Sequence, residues 1–135
     1  MKKIMVFGTF DGLHPGHEFV LTEAMKQGKV IVIVARDTNV RLLKGRLPIV
    51  NEAQRKEVLQ KRFPSLTVVL GDQKNFLTPV LSIQPDKVLL GYDQKLPPGI
   101  REEDLGCTVE RLKPFHPDLY KSSLLSKKKR GIMSR

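Results

Sequence analysis

Apolar runs and amphipathic stretches alternate along the chain. "KIMVFG" (3–8) is almost continuously apolar, and "KVIVIVA" (29–35) is β-branched at nearly every position. "SLTVVLG" (65–71), "DKVLLGY" (86–92) and "CTVERLK" (107–113) repeat the motif. Short apolar runs bounded by glycine and polar residues predict strands, and unbroken ones predict strands buried on both faces. Between the first two runs, Val20, Leu21, Ala24 and Met25 recur at helical spacing and Gly28 follows as a stop. "NEAQRKEVLQKRF" (51–63) predicts a helix with Asn51 as its N-cap. A short helix is predicted over 77–83, with Pro79 in its first turn, where proline is tolerated. The stretch between the second strand and Asn51 reads as a loop, and a last helix opens at Ser122 and Ser123. There is no internal repeat and no linker.

Strand–helix alternation with buried strands predicts an α/β fold: a three-layer, doubly wound, Rossmann-like parallel sheet of about five strands. The expectation is one domain over residues 1–135, ending in a basic tail from 127 onward. Such sheets bind ligands beyond the carboxyl ends of their strands, where the winding reverses. The unusual polar residues fall there. "GTFD" and two histidines follow the first strand, "ARD" the second, "GYDQ" the fourth and "KPFHPDLYKSS" the fifth.

Composition narrows the class. With 40% hydrophobic and 28% charged residues, the 135-residue chain reads as globular. Its longest apolar run, "VIVIVA" (30–35), is too short to span a membrane, and Asp11 and His14 interrupt any signal-peptide core. The single cysteine, Cys107, forms no intrachain disulfide and is expected to pack as a small hydrophobe. A cytoplasmic location is the default. The net charge of +10 is unevenly spread: residues 121–135 carry six basic side chains and no acid, and residues 36–62 carry eight basic and three acidic ones. Such clusters favour anionic partners. No aromatic interleaving marks a specific nucleic-acid site, and the tail reads as a solvated terminus.

His14 and His17 flank a helix start at i and i+3, beside the N–H groups and positive dipole end of that helix, which suits a phosphate. Gly8 is expected to allow a sharp turn out of the strand, and Gly16 to leave room for a ligand at the backbone. Zinc is the competing reading, but His116 and Cys107 are not at ligand spacing. A pair of capping histidines without a role is the bland one. Asp11, the one acid here, serves either as a metal ligand, direct or through water, or as an acceptor that fixes the turn.

"GTFDGLHPGH" (8–17) resembles the signature of the cytidylyltransferase-like nucleotidyltransferases, whose fold is this same doubly wound sheet. The HxGH is also similar to that of class I aminoacyl-tRNA synthetases, for which the chain is too short. "IVIVARDTNVRLLKGRLPIVNEAQRKEVL" (31–59), "LGDQ" (70–73) and "VLLGYDQ" (88–94) look most like the archaeal-type FAD synthetase branch. The resemblance covers residues 3–94 and implies transfer of AMP from ATP to FMN, with release of pyrophosphate. It implies that His14 and His17 contact the nucleotide phosphates and stabilise the transition state. It further implies backbone contacts from Thr9 and Phe10, Lys44 and Arg46 on phosphates, Arg55 on the acceptor phosphate and Asp93 at the ribose or base. Tyr92 either packs beside Asp93 or belongs to the core. Ser122 and Ser123 match a hydroxyl pair that holds the β- and γ-phosphates, but the preceding Arg-Thr and Gly of many cytidylyltransferases are not recognisable in "RLKPFHPDLYKSSLL", and Lys113 or Lys121 stands in for the missing charge. Mg²⁺ is expected from nucleotide chemistry, and the family often forms homodimers. The alternatives are a cytidylyltransferase using CTP and glycerol 3-phosphate, another small-phosphate transferase such as a phosphopantetheine-type adenylyltransferase, and a non-catalytic nucleotide- or RNA-binding protein.

Overall fold

The computed structural model describes residues 1–114. Five strands form the sheet: β1 (Lys3–Gly8), β2 (Lys29–Val34), β3 (Thr67–Leu70), β4 (Lys87–Leu90) and β5 (Thr108–Arg111). Their order is β3-β2-β1-β4-β5, and every neighbouring pair is parallel. β1 lies in full register with β2, from Lys3 opposite Lys29 to Gly8 opposite Val34. The helices are α1 (Pro15–Met25), α2 (Asp37–Lys44), α3 (Glu52–Arg62) and α4 (Thr78–Ile83), with a 3₁₀ turn at Glu102–Leu105.

The period of two along each strand divides the core into two layers. Ile4, Val6, Val30, Val32, Val34, Val68 and Leu89 face one side and pack with Leu21 and Ala24 of α1 and Leu59 of α3. Met5, Phe7, Ile31, Ile33, Val88 and Leu90 face the other and pack with Val80 of α4 and Leu105. Right-handed crossovers place the helices this way. The chain winds outward from β1 to β3 beneath one face, then returns across the other face to β4. The winding therefore reverses between β1 and β4, and a crevice opens beyond their carboxyl ends.

The predicted sheet is present, as are the helices predicted after β1, from Asn51 and over 77–83; the helix predicted to open at Ser122 lies outside the described residues. One element departs from the expectation: the segment after β2 is a helix, α2, and not a loop. Val40 alone of its residues is buried, and Leu42 and Leu43 are exposed; at eight residues the helix is shorter than the window over which a helical period is read from sequence. Gly45 ends it in the left-handed conformation at φ +76°. Among the described residues no helix is long and apolar enough to cross a membrane.

Candidate active site

A cleft of about 1430 Å³ lies over the carboxyl ends of the strands. Its floor is the turn after β1. Thr9, Phe10, Asp11, His14, Gly16 and His17 line it, with Lys44 and Arg46 on the β2 side and Asp93 on the β4 side. Lys113, after β5, also lines it. Ser122, Ser123, Lys121, His116 and the basic tail lie outside the described residues.

His14 is the N-cap of α1. Its Nδ1 accepts from the backbone N–H of Gly16 (3.1 Å) and of His17 (3.4 Å). An imidazole nitrogen that accepts carries no proton, so the neutral ring carries its hydrogen on Nε2. Pro15 at the first helical position has no N–H, and the Glu18 N–H donates to the His14 carbonyl. The amides opening α1 thus all have partners or are missing. This corrects the expectation of free backbone donors for a phosphate at this helix. It also corrects the reading of Gly16. A Cβ there would meet Cε1 of His14 at 3.0 Å and Nδ1 at 3.2 Å, so the space is occupied by the ring and not kept for a ligand.

His17 stacks on His14, with ring centroids 3.6 Å apart and planes 25° from parallel. Its other neighbour is the Phe10 ring, edge-on at 5.1 Å. Burial lowers the pKa of His17 from 6.5 to about 4, with the adjacent His14 and the Lys44 cation acting in the same direction. The Gly12 carbonyl acts in the opposite direction, although His17 Nδ1, which is buried, has no hydrogen-bond partner among the described residues. His17 is therefore neutral at pH 7.

Phe10 adopts φ +55°, uncommon for a side-chain-bearing residue, and its ring is buried. The ring fills the space above Gly8, where a Cβ would lie 2.5 Å from ring carbon Cε2. Gly8 thus serves ring packing, and its φ is not positive. The Thr9 carbonyl points inward to Arg55, at 2.6 Å from Nη1. In a trans peptide the following N–H, that of Phe10, points the opposite way.

Arg55 requires a correction. Expected on the acceptor phosphate, it is 1% exposed and lies beneath the cleft, not in its lining. Its guanidinium donates to the carbonyls of Val50, Thr9 and Ala35 and to the carboxylate of Asp37 at 2.7 Å. Four hydrogen bonds hold together the loops after β1 and β2 and the start of α3. The sequence carried a signal: Arg55 precedes the buried Leu59 by four residues and so shares its inner face. "VARD" belongs to the same brace. Arg36 donates to Glu52 (2.9 Å) and to the Gly71 carbonyl, and Glu52 accepts the Asp37 N–H.

Asp11 is also committed. Its two oxygens accept the N–H groups of Ile49 and Val50, each at 2.8 Å, and these bonds hold its pKa below the ordinary carboxylate value. The turn-fixing role is the one these bonds show. Among the described residues no three His, Cys, Asp or Glu side chains gather to hold a metal.

Across the cleft, Gln94 of "GYDQ" donates to the Phe7 carbonyl (2.9 Å) and accepts from the Gly91 N–H. Arg111 donates to the carbonyls of Gly91 and Gln94. These bonds pin the loop that carries Asp93, and Tyr92 beside it is 51% exposed and not core. Sequence reading gave no part to Gln94 or Arg111, nor to Lys74 and Lys95, which also line the cleft. Their position at or just after the carboxyl ends of strands was the available signal.

Known proteins with this pattern were compared with the chain. The family described as Cytidylyltransferase-like matches residues 5–117. The chain is 41% identical over 124 residues to the FAD synthase of Methanothermobacter thermautotrophicus, covering 85% of this chain and 82% of that protein. It is 40% identical over 129 residues to the FAD synthase of Archaeoglobus profundus, covering 91% and 82%. Among solved structures, the lipopolysaccharide core biosynthesis protein of Thermoplasma volcanium superposes with a TM-score of 0.76 at 29% identity, over 86% of this chain and 99% of that one. With the motif, the sheet order and these relatives in agreement, the chain belongs to the cytidylyltransferase-like family.

Proposed function

We propose that the chain is a nucleotidyltransferase that moves AMP from ATP to the phosphate of FMN, giving FAD and pyrophosphate. The observation that carries the chemistry is the stacked His14–His17 pair at the end of β1. The choice of flavin rests on the FAD synthases that are 40–42% identical over most of this chain. The cleft volume of about 1430 Å³ exceeds that of an ordinary small-ligand site and has room for two substrates.

An oxygen of the FMN phosphate attacks the α-phosphorus of ATP in line. The bond from that phosphorus to the bridging oxygen breaks, and pyrophosphate leaves with the electron pair. No covalent enzyme intermediate is needed, because the acceptor phosphate is itself the nucleophile. The protein positions the two substrates and stabilises developing charge. The His14 Nε2–H and the His17 ring donate to the phosphate oxygens. Lys44 and Arg46 supply positive charge from the β2 side. The Phe10 N–H, opposed to the buried Thr9 carbonyl, serves the phosphates, and Asp93 holds the ribose or base. Ser122 and Ser123 complete the pyrophosphate site. Mg²⁺ bound with ATP would supply further positive charge at the phosphates, with Asp11, which also accepts from Ile49 and Val50, as the one acid of residues 8–17 to hold it. A cytoplasmic location and a homodimer belong to the same proposal.

The test is pyrophosphate release from purified protein with Mg²⁺, crossing ATP and CTP against FMN and glycerol 3-phosphate. Release with ATP and FMN alone is expected. Release with CTP and glycerol 3-phosphate alone would move the chain to the glycerol-phosphate branch.

A further inference from the structure

The β2 lip of the cleft is apolar where solvent should make it polar. Leu42 and Ile49 are 81% and 89% exposed, more than any other described large hydrophobic residue except Met1, and Leu43 is 56% exposed. All three line the cleft. Scattered exposed leucines need no explanation, but a contiguous apolar patch beside a polar site marks a binding surface. This patch is also held in place. Asp11 fixes the backbone of Ile49 and Val50 from the floor of the site, and Gly45 turns the chain sharply between Leu43 and Ile49. Lys44 and Arg46 are interleaved with it and line the same cleft. A flat apolar body joined to a phosphate would satisfy both sets of side chains at once.

We infer that Leu42, Leu43 and Ile49 seat the isoalloxazine ring of FMN, with its phosphate reaching past Lys44 and Arg46 toward the histidines. The inference rests on the adenylyl-transfer reading and deepens it by assigning the acceptor to one wall. β1 lies between β2 and β4, so the histidines stand between the apolar lip after β2 and the Asp93 loop after β4. Two substrates entering along opposite walls bring their phosphates together at the pair, as in-line transfer requires. The interleaved cations favour this occupant over a second copy of the chain, whose net charge of +10 would repel them.

The test uses Leu42→Ser and Ile49→Ser. Both side chains are exposed, so neither change opens the core. FMN binding is read from flavin fluorescence, ATP binding by calorimetry, self-association by sedimentation, and turnover from pyrophosphate release. Each variant is expected to weaken FMN binding by about tenfold, equivalent to about 1.4 kcal/mol. The FMN KM should rise in parallel, with kcat and ATP affinity within about twofold of wild type, because lost ring contacts are made equally in ground and transition states. Wild-type turnover of ATP and FMN with unchanged FMN affinity in both variants would overturn the ring seat and leave the transfer reading intact. A loss of self-association without a loss of FMN affinity would also overturn it and assign the patch to a second copy. Wild-type protein that neither binds FMN nor turns it over would overturn both.

Discussion

His14 divides its ring between structure and chemistry. Nδ1 caps α1 through Gly16 and His17, and Nε2 is left for the cleft that the ring lines. The two parts are separable. His14→Ala should cost about 1 kcal/mol of stability through the lost cap and about 10²–10³-fold in kcat through the lost donor. His14→Asn, with an oxygen suited to N-capping, should recover the stability but not the turnover; urea unfolding and steady-state kinetics on the two variants check this. His17 makes a separate prediction for pH. Its folded pKa of about 4 lies below the ordinary 6.5, so between those values the unfolded chain binds a proton that the folded chain does not. Its contribution to stability is full above pH 6.5 and is lost as pH falls toward 4. Urea midpoints measured across that window should fall less steeply in His17→Asn than in wild type. The Asp11 contribution, from a lowered carboxylate pKa, is lost only below that window.

At the scale of elements, the brace around Arg55 joins what the sequence separates. One guanidinium ties the turn after β1, the end of β2, the start of α2 through Asp37 and the entry to α3. Arg55→Met leaves three carbonyls and a carboxylate without this donor and should cost about 3–5 kcal/mol, the usual range for breaking a buried pair. Arg55→Lys should not restore it, because an ammonium cannot span the same fork of acceptors. Equal urea midpoints for Arg55→Lys and wild type would contradict that account. Gly8→Ala tests the neighbouring turn: a methyl 2.5 Å from the Phe10 ring must displace it, at about 1–3 kcal/mol. The strands were legible because their apolar runs are continuous, α1 because Leu21 and Ala24 recur at helical spacing, and α3 because Asn51 caps its start. α2 was not, since its eight residues are too few to establish a helical period. The histidine pair was legible from its place after a buried strand. The commitments of Asp11 and Arg55 were not, because both depend on long-range partners, Ile49 for one and Thr9 for the other.

For the whole molecule, the five parallel strands serve to bring remote segments to one edge. The histidines after β1, the cationic and apolar lip after β2 and the Asp93 loop after β4 are far apart in sequence and meet only because the winding reverses beside β1. On this account the fold is a device for aligning two phosphates, and its rigid parts, including the Arg55 brace and the Gln94–Arg111 clamp, keep the two walls at a fixed distance. The most direct measurement is FAD and pyrophosphate formed from ATP and FMN by wild-type protein and by His14→Asn under identical conditions. The account predicts the two products in equal amounts from wild type, and turnover about 10²-fold lower in His14→Asn with ATP affinity retained. No FAD from wild type, or full activity in the variant, would contradict it.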